Sequence, residues 1–140
     1  MLAARSPHGQ GAVYPVVQTV QRDGICHEVL APRAVAGGPP GREAQQLALR
    51  LAAELTVTGL LAVELFEIRG AALLVNELAM RPHNSGHWTI EGAATSQFEQ
   101  HLRAVLNLPL GDPSAVAPQV VMANVLRRRR SPTCTGGTCT

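Results

Sequence analysis

Two apolar runs split by a turn signal constrain this chain more than any other feature. Residues 60–68 (LLAVELFEI) and 71–77 (AALLVNE) flank Arg69-Gly70, and together they read as an antiparallel hairpin. The spacing carries chemistry. With Gly70-Ala71 as a two-residue loop, Glu64 lies directly across from Glu77. With Arg69-Gly70 as the loop, the two become diagonal neighbours on one face, and only an odd-length loop separates them. Like charges facing each other across strands are destabilising, so converging carboxylates call for a cation or a shared proton. Hard oxygen donors with Asn76 beside them suit magnesium, which takes one or two carboxylates and completes its shell with substrate phosphates. A bulge that turns one glutamate to solvent fits the spacing equally well.

The second strand runs into NELAMRPHNSGHW, residues 76–88. This stretch gathers a carboxylate, an arginine, two histidines and two asparagines. Polar groups leaving the end of an apolar strand form a candidate binding loop; the plainer reading is a loop solvated at a sheet edge. Ser85-Gly86 would let the backbone pass close to a ligand. His83 and His87 are four residues apart but carry no HExxH pattern and fall on a loop, so they are weak metal ligands.

The rest of the chain supplies a scaffold. Residues 1–11 read as a loop, or as a strand cut off from its partners. Residues 12–20 (AVYPVVQTV) and 25–30 (ICHEVL) are strands joined through Asp23-Gly24, a strong hairpin signal because glycine accepts positive φ cheaply. Pro15 places the first near an edge or a strand start. Residues 31–41, with three prolines and three glycines, are a loop. A helix follows over 42–55, with Ala44, Leu47, Ala48, Leu51, Ala52 and Leu55 on one stripe. Thr58-Gly59 closes it. A second helix starts at the N-cap Ser96, with Glu99 completing a capping box, and its stripe of Phe98, Leu102, Val105 and Leu106 is expected to face the core. His101 reads as a partly buried structural residue. Residues 116–125 form one more strand, with Pro118 arguing for an edge. The expected fold class is α+β, mainly antiparallel sheet with two packed helices.

Composition narrows the function classes. The chain has 140 residues, enough for one domain, and no apolar run of membrane-spanning length. All twelve basic residues are arginine, four of them at residues 127–130. That run has no aromatic partners and no folded basic face, so it does not make a nucleic-acid binder. The segment from residue 127 onward has no apolar periodicity and is expected to be disordered. Three cysteines without framework spacing point to a reducing, cytoplasmic setting. Cys134 and Cys139 lack the further ligands of a zinc site.

The stretch NELAMRPHNSGHW, followed by SQFEQHLRAVLNLPLG (residues 96–111), resembles the C-terminal part of the ATP-grasp domain of the N5-carboxyaminoimidazole ribonucleotide synthase family. YPVVQTVQRDGICHEVLAP (14–32) and GLLAVELFE (59–67) fit the same family in the same order. The resemblance covers roughly residues 5–126, so 1–126 is read as a partial ATP-grasp domain and 127–140 as a tail outside the family pattern.

The resemblance implies ATP-dependent carboxylation of 5-aminoimidazole ribonucleotide with bicarbonate, releasing ADP and phosphate, in purine biosynthesis. The small-molecule partners are those two substrates, the cofactors ATP and magnesium, and the intact family enzyme is expected to be a homodimer, with no nucleic-acid or membrane partner. By resemblance, Glu64 and Glu77 hold magnesium, and Asn76 pairs with Glu77 at the nucleotide. Arg81, His83 and Asn84 face bicarbonate and the acceptor. Gln21 falls where many members carry a nucleotide-contacting histidine. Met80 and Pro82 also depart from the common pattern. The family grips its phosphates with a lysine, and this chain has none. The expectation is therefore a fragment that is inactive alone; a frameshift or misjoined reading frame would account for the change near Leu126. The alternative is a non-catalytic remnant or subunit-interaction module.

Overall fold

The computed structural model describes residues 1–33, 40–68 and 73–126. In chain order its elements are β1 (Leu2–Arg5), β2 (Gly11–Val13), β3 (Gln18–Arg22), β4 (Ile25–Ala31), α1 (Pro40–Glu54), β5 (Gly59–Glu67), β6 (Leu73–Ala79), a 3₁₀ turn (Asn84–Gly86), α2 (Thr89–Gly92), α3 (Gln97–Val105) and β7 (Val120–Ala123). They form two antiparallel sheets, ordered β2-β1-β5-β6 and β3-β4-β7. The α+β class and the antiparallel character are as expected. The helix count differs, because the short α2 joins the two anticipated helices. No described helix is long and apolar enough to cross a membrane.

β1 and the first half of β5 are buried on both faces, and alternation along them assigns each residue to one of two cores. Leu60 and Ala62 of β5, with Leu2 and Ala4 of β1, pack toward Tyr14, Val29 and Trp88. Leu61 and Val63, with Ala3, pack toward α1. There Ala44, Ala48 and Ala52 are buried at i, i+4 and i+8, as the stripe predicted, while Leu55 falls past the helix end and is 43% exposed. Residues 1–11 were expected to be loop or orphan strand. Instead β1 is an interior strand between β2 and β5, and Met1 exchanges backbone hydrogen bonds with Val63 at 2.9 and 3.0 Å. Its small side chains gave no alternation to read because both faces are covered.

The expected strand over 12–20 is also two strands, in different sheets. β2 ends at Val13, β3 starts at Gln18, and the chain crosses between sheets at residues 14–17. Pro15 sits in that crossing, where it has no ladder bond to supply. Tyr14 anchors it: the ring is fully buried, edge-on to Trp88 at 6.3 Å, and its hydroxyl donates to the Thr95 carbonyl at 2.9 Å. The β3–β4 turn is as read, with Asp23 and Gly24 at φ 52° and 75°, both positive as a type I′ turn requires. β7 is shorter than the expected 116–125, but it is an edge strand that follows Pro118. The loop over 31–41, the turn at Arg69-Gly70 and the tail with its two cysteines lie largely or wholly outside the described residues.

The second helix reverses its expected orientation. Phe98, Leu102 and Leu106 are 43%, 57% and 65% exposed, while Gln97, Gln100 and Ala104 are buried. Hydrogen bonding explains the reversal. The Gln100 carboxamide pairs with both backbone groups of Gly111 at 2.8 Å, and Gln97 does the same to His83 at 2.9 Å. Buried amides fully paired in this way are tolerated in a core. Ser96 caps the helix by accepting from the Glu99 amide, while the Glu99 carboxylate binds Arg103 at 2.8 Å. His101 is structural, accepting from the Leu60 amide at 3.1 Å. Gly59, at φ 111°, leaves room for that imidazole.

Candidate active site

The register of the β5–β6 hairpin places Glu64 directly opposite Glu77. It does so through a bulge. Nearer the turn, Leu65 faces Val75 and Glu67 faces Leu73, a register that would have put Glu64 opposite Asn76. The shift between Glu64 and Leu65 leaves Asn76 as the extra residue and restores the carboxylate pair. The bulge thus joins the two glutamates rather than turning one away. It also re-aims Asn76, whose Nδ2 donates to Glu64 Oε2 at 3.3 Å although its neighbour Glu77 serves the same face. By alternation this face continues from Ala62 and Ala79, which belong to the core shared with the three-stranded sheet. The carboxylates therefore open toward the cleft between the sheets.

A cavity of about 350 Å³ occupies this region. Glu64 and Asn76 line it from β5 and β6, Gln21 and Thr19 from β3, and Ser85 from the loop. Gln21 thus joins the site from the second sheet. An ion pair between Arg33 and Glu67 also lies on the cavity wall.

After β6 the chain turns into the polar stretch. His83 N-caps the 3₁₀ turn: its Nδ1 accepts from the Ser85 amide at 3.3 Å and meets Ser85 Oγ at 3.0 Å. That leaves the other ring nitrogen, Nε2, for Glu64 Oε1 at 3.7 Å. Arg81 and Asn84 are exposed and outside the cavity lining, and the Arg81 guanidinium donates to the Pro82 carbonyl at 3.0 Å. Of the seven predicted residues, Glu64, Asn76 and Gln21 line the cavity. Glu77, exposed, adjoins Glu64 through the strand register, His83 adjoins it through its 3.7 Å approach, and Arg81 and Asn84 flank them, these four lying outside the lining. At Ser85-Gly86, where the backbone was expected to pass close to a ligand, Ser85 reaches the cavity wall and Gly86 answers to packing. Both residues are buried, and a Cβ on Gly86 would overlap the side chains of Gln97 and Leu2. Glycine is required there by packing. Sequence reading missed Gln97 and Thr89, whose hydroxyl accepts from the Gln97 amide at 2.8 Å and donates to the Gly86 carbonyl at 2.6 Å. The only signal was their polarity beside a helix start.

Among the described residues, no arginine pairs with Glu64 or Glu77, and no three His, Cys, Asp or Glu side chains converge as a metal cage. The donor set that remains is two facing carboxylates and an amide, all oxygen, with no arginine to neutralise them. That fits an ion such as magnesium, which keeps sites open for phosphate oxygens and water. It does not fit a histidine-rich transition-metal site, and His87 is engaged by Gln97 at 3.0 Å.

Burial holds the His83 imidazole below its ordinary 6.5; Glu64 and Glu77 oppose that shift, and Arg81 and the Met1 amine reinforce it. The amine itself is pushed down to about 6 by desolvation. Because the folded value of His83 is the lower one, its contribution to stability is complete above 6.5 and is lost as pH falls through the folded value. Histidine NMR titration of the metal-free chain should place the His83 midpoint below 6.5. A midpoint above 6.5 would mean that the carboxylates outweigh burial.

These observations define a class by its fold and cleft: two antiparallel sheets with Glu64, Asn76 and Gln21 on the wall of the cavity between them. The chain belongs to the ATP-grasp domain family, which matches residues 1–98. Its similarity within that family is specific. It is 67% identical over 132 residues to the N5-carboxyaminoimidazole ribonucleotide synthase of Mycobacterium leprae, covering 94% of this chain and 30% of that one. The crystal structure of N5-carboxyaminoimidazole ribonucleotide synthetase from Thermus thermophilus superposes with a TM-score of 0.84 at 48% identity, over 89% of this chain and 34% of that one. N5-carboxyaminoimidazole synthase from Aspergillus clavatus, solved in complex with ADP and 5-aminoimidazole ribonucleotide, gives 0.83 at 36% identity, over 89% and 34%. The chain thus spans about 30% of the length of the curated relative it matches.

Proposed function

We propose that this chain is the metal- and phosphate-holding part of an ATP-dependent carboxylating ligase, one that converts 5-aminoimidazole ribonucleotide and bicarbonate to N5-carboxyaminoimidazole ribonucleotide with release of ADP and phosphate. One observation carries the reading: Glu64 and Glu77 face each other, with Asn76 bonded to Glu64, in the cleft between two sheets. The similarity to a synthase solved with ADP and 5-aminoimidazole ribonucleotide supports the choice of substrates.

In this reading Glu64 and Glu77 would hold magnesium. Bound there, the ion supplies positive charge to the phosphate oxygens as the phosphoryl group moves. Asn76 fixes the Glu64 carboxylate by its hydrogen bond, so the pair is oriented in advance. Asn76, Glu77 and Gln21 border the nucleotide from both sheets. His83, held neutral near pH 7 by burial, keeps Nδ1 on Ser85 and turns Nε2–H toward Glu64. Arg81, exposed beside it, offers paired N–H groups to bicarbonate or the acceptor, and Asn84 borders the same opening. The chain has no lysine, so a lysine grip on the phosphates must come from a part of the relatives' length that this chain does not span. The intact enzyme is proposed to be a homodimer.

The test is an ADP-release assay on this chain and on a version extended to the relatives' full length. Turnover dependent on both bicarbonate and 5-aminoimidazole ribonucleotide is expected from the longer protein only. ADP release by the longer protein that ignores both substrates would defeat the assignment. A second reading, a subunit-association module, is favoured by the exposed apolar stripe of α3. The two are compatible, since a face unneeded by the cleft is free to bind another chain.

A further inference from the structure

The buried carboxamide of Gln97 touches neither the cleft carboxylates nor the cavity they line, yet it commits its oxygen and both of its Nε2 hydrogens to the polar loop. Gln97 is fully buried at the first turn of α3. Its Oε1 accepts from the His83 amide at 2.9 Å. One Nε2 hydrogen goes to the His83 carbonyl at 2.9 Å. The other faces His87 Nδ1 at 3.0 Å. Its own amide is fixed on the Thr89 hydroxyl at 2.8 Å, which in turn ties down the Gly86 carbonyl. His83, His87 and Thr89 are thereby set by one side chain and its backbone, and Gly86 through Thr89.

We propose that Gln97 is a positioning residue of this site: its carboxamide fixes the backbone of His83 beside Glu64 and dictates which ring nitrogen of His87 carries the hydrogen. A carboxamide nitrogen has two hydrogens and accepts none, so a nitrogen facing it must be an acceptor. His87 Nδ1 is therefore bare, and its hydrogen sits on Nε2. His87 stacks on Phe98, with centroids 5.8 Å apart and planes 19° from parallel, so the ring cannot swing to another partner freely. It also lines a second cavity, about 570 Å³, with Trp88, Glu91, Gln119 and Asn124. Gln97 thus holds His83, which approaches Glu64, and at the same time sets the tautomer of His87, a wall residue of the second cavity. This deepens the function proposed above and rests on it for its purpose, but the hydrogen-bond assignment stands or falls without nucleotide or metal.

The experiment uses the full 140-residue chain, free of ligand. Nitrogen-15 shifts of the histidine side chains report the tautomer, and amide hydrogen exchange reports the His83 clamp. In the unaltered chain His87 should be the Nε2–H tautomer, with a protected His83 amide. Gln97→Met keeps the volume and removes both arms. It should release the His87 preference and speed His83 exchange about 10- to 100-fold, the loss of a hydrogen bond worth one to two factors of ten. Gln97→Glu is sharper: a carboxylate still accepts from the His83 amide but can only accept from His87, so the ring should switch to Nδ1–H. Gln100→Met removes the matching clamp on Gly111 and serves as the control for a general effect on α3 packing; it should leave both readouts at His83 and His87 unchanged. An Nδ1–H tautomer in the unaltered chain overturns the proposal even if every variant misfolds. So does a Gln97→Glu chain whose His87 tautomer stays as it was, or a Gln100→Met chain that moves both readouts as far as Gln97→Met does. Failure of the ADP-release assay with the tautomer pattern intact would leave Gln97 assigned and sink only the proposed reaction.

Discussion

Glu64→Gln should weaken magnesium-dependent nucleotide binding by at least about 100-fold while leaving the ligand-free chain as stable as before or slightly more so. The opposing directions come from one cause. Without an ion, Glu64 and Glu77 face each other as like charges across the hairpin, a pairing that costs roughly 0.2–1 kcal/mol. An amide of the same shape removes that repulsion and can still accept from Asn76 Nδ2. With an ion, the same change deletes a charged ligand from a set that has only two. Losing groups that merely orient metal ligands already costs about 10- to 100-fold, so a ligand itself should cost at least the upper end. Glu77→Gln should behave alike, and the double variant should lose little more than either single one, since neither carboxylate holds the ion alone. Calorimetric titration with magnesium and ADP, beside urea unfolding of the same proteins, reads both quantities. Unchanged binding in both single variants would remove the carboxylate pair from the mechanism.

Gly86→Ala should cost about 2–6 kcal/mol of stability, an unusually large effect for one methyl group in a polar loop. The added Cβ would lie about 2.7 Å from the Gln97 side-chain amide carbon and also against the Leu2 side chain. Overpacking of this kind costs roughly 1–3 kcal/mol. Here the displaced group is also the clamp on His83, whose loss strands partly buried backbone groups at about 1–3 kcal/mol more. Gly41→Ala is the matched control, because a Cβ there meets nothing within 4 Å. Urea unfolding should show a lowered midpoint with an unchanged slope for Gly86→Ala and no loss for Gly41→Ala. Equal midpoints would mean that the loop has slack which the packing around Gly86 denies.

What the sequence disclosed was set by how local each determinant is. The Asp23-Gly24 turn and the alanine stripe of α1 are written in neighbouring residues, and both appear where they were expected. The facing of Glu64 and Glu77 was one of two open readings. The deciding feature, a bulge at Asn76, belongs to the pairing of two strands and leaves no mark in either run alone. Periodicity misled at α3. It reports which face of a helix is apolar, and here Gln97 and Gln100 turn the polar face inward by pairing fully with His83 and Gly111. β1 was illegible for a different reason: a strand buried on both sides needs no alternation. Tyr14 and Pro15 looked like the middle of a strand because β-branched neighbours surround them, yet they mark the step between sheets. Around the cleft, the polar and charged residues stood out in the sequence. The uncharged residues that hold them, Gln97 and Thr89, did not, since a buried amide reveals its importance only through its partners.

Glu64 and Glu77 are proposed to act together on a single divalent ion in the cleft between the two sheets. Manganese is the direct probe, because it replaces magnesium at oxygen sites and scatters anomalously. In crystals of the chain extended to its relatives' length and grown with manganese and ADP, the anomalous peak should fall between the two carboxylates, within bonding distance of both and of a phosphate oxygen. A peak that touches neither glutamate, beside well-ordered ADP, would contradict it.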